Sequence, residues 1–310
     1  AENEKNLLAA GAAMSVVGWW TGYKIGGLVS LLSADILQKQ GVQNYWQISF
    51  LILSGIITLC SVALLFIPEK NSKKKINFQN VVDKKMLDKI GFSNNFTKSF
   101  AWLYGTVINP LLSFFKKNTI SVALSILGFI FLFKIGEAFL GRMSIVFYKE
   151  IGFSKTDIAL YSKGIGWLTT VVFTLLGGLF AVRMGLIKAM FLSGIFMALT
   201  NILFSILAWV GNSEIMFAFT VLIDDLAAAF ATVAFVGFIS ALVDRNYTAT
   251  QYALLASIGT AGRTLFASSS GMMVDWLNGN WIIFFIITAL MVIPSLICLL
   301  LIRKKLNLNE

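Results

Sequence analysis

The sequence predicts an all-α, polytopic membrane protein: a bundle of eight spanning helices. Three observations carry this. The residues are 57% hydrophobic and only 13% charged, with 27 Phe against 3 Pro, a balance that soluble domains do not keep. Apolar stretches repeatedly reach the ~20 residues that a helix needs to cross hydrocarbon. Once the helices alternate in direction, the basic residues collect on one side of the membrane.

The elements follow in order. Spans are predicted over 7–37, 44–67, 119–148, 155–182, 186–210, 214–243, 247–274 and 279–302. The first and third exceed a bilayer's need and are expected to tilt. Between Pro68 and Asn118 the composition changes. This connector holds Lys70, Lys73, Lys74, Lys75, Lys84, Lys85, Lys89, Lys98, Lys116 and Lys117 against Glu69, Asp83 and Asp88. Within it, "FAWLYGTVINPLLSFF" is flanked by lysines and interrupted by Asn109-Pro110. It reads as an interfacial amphipathic helix rather than a ninth span. The domains are therefore two helices over 1–67, a basic connector over 68–118 and a six-helix bundle over 119–305.

Charge supports this order. With the connector cytoplasmic, that side holds Lys5, the connector lysines, Arg183, Lys188, Arg245, Arg303, Lys304 and Lys305. The other side holds Lys39, Lys149 and Lys155. The bias obeys the positive-inside rule, and a ninth span would invert it. The net charge of +10 is thereby explained by the membrane, and nucleic acid is not needed as a partner. Histidine is absent, so His-based metal sites and triads are excluded and proton relay falls to carboxylates. No metal or cofactor is called for. Cys60 and Cys298 sit in apolar runs and are expected to be buried free thiols.

The first two helices resemble the last two. "GYKIGGLVSLLSAD" carries Lys24 and then an acid, as "AGRTLFASSSGMMVD" carries Arg263 and then an acid. "NYWQISF" and "GNWIIFF" open the following helices. Such internal symmetry is common in transporters and predicts a six-plus-six protein with four helices preceding Ala1. A complete eight-helix protein is the alternative.

Six charges fall near mid-membrane. Lys24, Lys134 and Arg263 lie roughly 24 Å from one surface at 1.5 Å per residue. Glu137 lies one turn beyond Lys134, and Asp224 and Asp225 enter by about 15 Å from the other side. Facing lipid, six charges would cost on the order of 15–20 kcal/mol. They must face the bundle interior or a wet cavity. Three positive and three negative charges permit full pairing. Structural ion pairs are one reading of them; a transport pathway is the other. Lys163 lies shallower, while Arg142, Asp157 and Asp275 near the outer surface read as snorkelling or gate contacts. Gly18, Gly22 and Gly26 recur every four residues, a stripe that admits a close helix. Trp19, Trp20 and Tyr23 around it read either as lipid-facing packing or as a platform for a sugar ring.

Several motifs now resemble a known family. "GGLFAVRMGLIK", with Gly178, Arg183, Gly185 and Lys188, is similar to the gate turn of major facilitator transporters. "YTATQYALLASIGTAGRT", "FKIGEAF", "GFSKTDIALYSKGIG", "ATVAFVGFISAL" and "LLAAGAAMSVVGWWTGYKIGGLVS" together resemble the AmpG muropeptide permeases of that superfamily. The resemblance implies a major facilitator-type bundle in the bacterial inner membrane. It implies proton-driven import of N-acetylglucosaminyl-1,6-anhydro-N-acetylmuramic acid and its peptide-bearing forms for cell-wall recycling. It places Lys134 and Glu137 on a K-x-x-[DE] motif, Asp224 on an acidic position, and Gln251, Tyr252 and Arg263 on another motif. Asp225 stands where the family suggests Asn. On this reading Lys24, Lys134, Arg263, Trp20, Tyr23, Gln251 and Tyr252 contact substrate. Glu137, Asp224 and Asp225 carry protons. A carrier of another anionic solute, such as a coenzyme A ester, and an integral-membrane transferase are the competing readings; the absent histidine speaks against the latter.

Overall fold

The computed structural model describes residues 8–66, 102–154, 157–244 and 247–303. The connector lysines up to Lys98, together with Lys5, Lys155, Arg245, Lys304, Lys305 and the side chain of Lys163, lie outside the described residues. Among those described, every regular element is helical. Helix α1 (Leu8–Lys39) and α2 (Tyr45–Leu64) form a hairpin turned at Gly41. After the connector come α3 (Asn109–Lys117), α4 (Ile120–Leu132), α5 (Ile135–Ile151), α6 (Gly166–Met184), α7 (Leu186–Val210) and α8 (Glu214–Leu242). Then follow α9 (Thr248–Ala267), α10 (Ser270–Trp276), α11 (Trp281–Leu290) and α12 (Ile293–Arg303). Six segments are long and apolar enough to cross a membrane: α2, α4 with α5, Leu160–Met184, α7, α8, and α11 with α12. The two remaining predicted spans, α1 and α9 with α10, are of spanning length but more polar, and they carry Lys24 and Arg263.

Three predicted helices are interrupted, each for a physical reason. Helix α4 ends at Leu132 and α5 resumes at Ile135, with Lys134 in a bridge conformation (φ −102°, ψ 17°). Here α9 comes so close that a Cβ on Gly262 would collide with the Phe131 carbonyl oxygen. Between α9 and α10, the hydroxyls of Ser268, Ser269 and Ser270 donate to the Leu265, Phe266 and Ala267 carbonyls, competing with the backbone. Between α11 and α12 the helix breaks just ahead of Pro294, in the first turn of α12; the proline removes an amide donor and crowds the preceding turn.

The amphipathic segment before α4 begins with a π-helical turn, Tyr104–Ile108, and continues as α3 with Pro110 in its first turn, where its missing N–H costs nothing. It docks on the α8–α9 junction. Asn109 Nδ2 donates to Tyr247 Oη at 2.8 Å, Ser113 Oγ to Asp244 Oδ2 at 3.1 Å and Gln251 Nε2 to the Pro110 carbonyl at 2.8 Å. This end of the bundle is the connector side; the other is the far side.

Helix α8 is central, packing on α1, α6, α7 and α9. Two apolar clusters flank its middle. The connector-side cluster contains Ile126, Phe129, Phe133, Met190, Phe238 and Leu299. The far-side cluster contains Phe139, Phe147, Phe204, Phe217, Phe284 and Phe285. Between them runs a polar belt of Lys134, Glu137, Thr200, Asn201, Asp224, Asp225 and Thr288.

Two expectations are corrected. Cys60 is a free thiol but exposed on α2, a helix that is only 6% buried across its most apolar window; Cys298 is half-buried. The Gly18, Gly22 and Gly26 stripe meets nothing within 4 Å of where side chains would begin, so among the described residues no helix packs on it. Tight approach occurs instead at glycines of the later helices, Gly262 among them.

Candidate functional site

The six mid-depth charges do gather in the belt, but not as three pairs. Lys24 reaches from α1 into α6 and α8. Its Nζ donates to the Gly166 carbonyl at 2.8 Å, Thr170 Oγ1 at 2.8 Å and Asp225 Oδ1 at 2.9 Å. The Trp20 ring covers it at 5.3 Å, a cation–π contact. Thr169 Oγ1 donates to Asp225 Oδ2 at 3.4 Å. An ammonium has three donors, and all are used. Gly166 leaves room for this contact: a Cβ would stand 2.7 Å from Asp225 Oδ2 and 3.1 Å from Lys24 Nζ, so one of the two would have to shift.

A second group forms where α4 breaks. Lys134 Nζ donates to Thr232 Oγ1 at 2.7 Å and to Glu137 Oε1 at 3.3 Å, with Glu137 Oε2 at 3.0 Å. Arg263 Nη2 lies 3.8 Å from Glu137 Oε1, too far for a hydrogen bond. Its side chain is 39% exposed, so Arg263 is loosely held. Asp224 sits beside the Thr200 hydroxyl and, among the described residues, has no cation within ion-pairing distance.

Two lobes of open space meet at this level. The connector-side lobe, about 300 Å³, is lined by Trp20, Lys134, Glu137, Thr232, Tyr252 and Arg263, among others. The far-side lobe, about 480 Å³, is lined by Trp19, Tyr23, Arg142, Asp224, Asp225 and Arg263, among others. Trp19, Trp20, Glu137, Thr260 and Arg263 line both and form the waist. The volumes are those of small-molecule sites. Trp19 stacks on Tyr23 with centroids 5.9 Å apart and planes 6° from parallel, and both rings are more than half exposed. This makes a flat apolar wall.

The structure thus brings Trp20, Tyr23, Lys134, Glu137, Asp224, Asp225, Tyr252 and Arg263 to one vestibule. Lys24 is buried behind it and lines neither lobe. Gln251 is also buried. Its Oε1 accepts from the Asp244 amide at 2.6 Å while its Nε2 holds Pro110, so it clamps α3 rather than facing the cavity. The gate-motif residues lie at the α6–α7 turn, remote from the vestibule. Gly178 is buried, Arg183 and Lys188 are exposed, and Gly185 adopts φ +84°, which favours glycine.

Four further residues belong to the site: Thr232, Thr170, Trp19 and Arg142. Thr232 stands seven positions after Asp225, two turns along the same face, a signal that spacing could have supplied. Thr170 is an ordinary helical threonine by sequence.

The Major Facilitator Superfamily model matches residues 5–265. The chain belongs to the Major Facilitator Superfamily. It is a multi-pass membrane protein of that superfamily, as its apolar helices require. It is similar to the protein named AmpG 4 of Rickettsia felis, 30% identical over 96% of this chain and 65% of the relative. It is similar also to the anhydromuropeptide permease of Escherichia coli K12, 28% identical over 96% of this chain and 54% of the relative. A third relative is AmpG 1 of Rickettsia prowazekii, 26% identical over 92% and 67%. The chain therefore spans about two thirds of the Rickettsia felis relative and about half of the Escherichia coli one.

Proposed function

We propose that this chain forms the substrate vestibule of a proton-driven importer of anhydro-muropeptides in the bacterial inner membrane, with the connector side facing the cytoplasm. The carrying observation is the triad of Lys134, Glu137 and Arg263, two of whose members, Glu137 and Arg263, stand at the waist between the two lobes, with Asp224 nearby and unpaired by any cation within reach among the described residues. The relatives' names support the substrate class.

The chemistry follows from the triad. Two cations hold one carboxylate, and the outer cation, Arg263, is loosely engaged. An anionic solute entering the waist competes for Arg263. A buried carboxylate deprived of a neutralising partner takes up a proton. Solute and proton are thereby linked at Glu137, and Asp224 offers a second carrier on the far side. Lys24 and Asp225 hold α1 to α6 and α8, which sets the shape of the vestibule wall rather than its contents.

The test is uptake of labelled anhydro-disaccharide into proteoliposomes by the full-length protein under an imposed pH gradient. Glu137→Gln is expected to abolish gradient-driven accumulation while solute exchange across equal pH continues. Accumulation at the wild-type level in that variant would remove Glu137 from the coupling.

A further inference from the structure

The far-side lobe holds a cation that the reading so far has not used. Arg142 is exposed on α5 and lines the lobe together with Arg263. No carboxylate among the described residues lies within ion-pairing distance of it. Of the acids lining the same lobe, Glu137 is held by Lys134 and Asp225 by Lys24. Arg263 shares Glu137 with Lys134, which leaves Arg142 without a carboxylate partner among the described residues. The same lobe is lined, from another helix, by the stacked pair of Trp19 and Tyr23. One wall is thus flat and apolar and the other cationic.

We propose that this lobe divides a muropeptide between its walls: a sugar ring on Trp19 and Tyr23, and a stem-peptide carboxylate on Arg142 with Arg263. The proposal rests on the muropeptide reading and adds a specificity determinant to it. A planar guanidinium matches a carboxylate in two parallel hydrogen bonds, whereas an aromatic face takes the apolar face of a sugar without reading its charge. The bare disaccharide has its carboxylate on the lactyl group next to the sugar, whereas in the peptide-bearing forms that group is an amide and the free carboxylates stand further out along the stem peptide. Arg142 therefore reads where the carboxylate stands relative to the sugar on Trp19 and Tyr23, and a ligand whose stem-peptide carboxylates are esterified loses that contact.

The experiment measures binding of three ligands to the full-length protein in detergent: the anhydro-disaccharide, its tripeptide form, and that tripeptide form with its carboxylates methyl-esterified. Wild-type protein is expected to favour the free tripeptide form over its ester by about tenfold or more, the worth of one charge-assisted contact. In R142Q that preference is expected to collapse, and R142K is expected to keep part of it. An ester bound as tightly as the acid by wild-type protein, which needs no variant, would overturn the assignment. So would a preference unchanged in R142Q. If wild-type protein binds none of the three, the muropeptide reading itself falls and this inference with it.

Discussion

Breaking the Lys24–Asp225 contact is expected to destabilise the protein more than losing both partners together. Lys24 is 4% exposed and spends all three donors on Gly166, Thr170 and Asp225. In K24M the Asp225 carboxylate keeps only neutral hydroxyls, Thr169 at 3.4 Å and the neighbouring Thr170. In D225N the ammonium stays buried against neutral partners. Stranding one charge of a buried pair costs about 3–5 kcal/mol. At about 2–4 °C per kcal/mol for a protein of this size, each single variant should melt roughly 6–20 °C lower. The double variant K24M/D225N strands nothing, since an amide can still accept from Thr169 and donate to the Gly166 carbonyl. Its melting point should fall no further than either single variant's, a coupling on the order of 3 kcal/mol. Thermal melts followed by tryptophan fluorescence in detergent read this directly. Additive losses, or a single variant that melts like wild type, would show that the contact does not couple α1 to α8.

Two further outcomes follow. Gly166→Ala places a methyl group against Asp225 and Lys24 and should lower the melting point by several degrees, whereas Gly271→Ala, where open space lies beside the backbone, should not; equal effects would remove the steric argument. Gln251→Leu breaks the clamp between α3 and the α8–α9 junction, so proteolysis near Lys116 and Lys117 should accelerate severalfold; unchanged cleavage rates would show that Asn109 and Ser113 suffice to hold α3.

The sequence made the helices legible because hydrocarbon selects for length and hydropathy, and both are local properties. It made the mid-depth charges legible because ions in a span are rare. It did not tell which charge meets which. Lys24 and Asp225 lie 201 residues apart, and only packing of α1 against α6 and α8 joins them. The balance of charges permits full pairing, yet Glu137 takes two cations and Asp224 none within reach among the described residues. The break at Lys134 was equally hidden, since its cause is the approach of Gly262 from another helix. Arg142 read as a snorkelling or gate contact, because depth along one helix says nothing about which face borders a cavity. Gln251 sat in a recognised motif, yet its neighbours make it a clamp.

The polar belt between the two phenylalanine clusters has a mechanical meaning. Interlocked rings resist sliding because every displacement opens voids. Hydrogen-bonded groups can exchange partners, or accept water, with little net loss. Deformation of the bundle is therefore expected to concentrate at the level of Lys134, Thr200 and Asp224, with the blocks above and below acting as stiff plates. The seam that yields most easily is also the one where the charged groups stand.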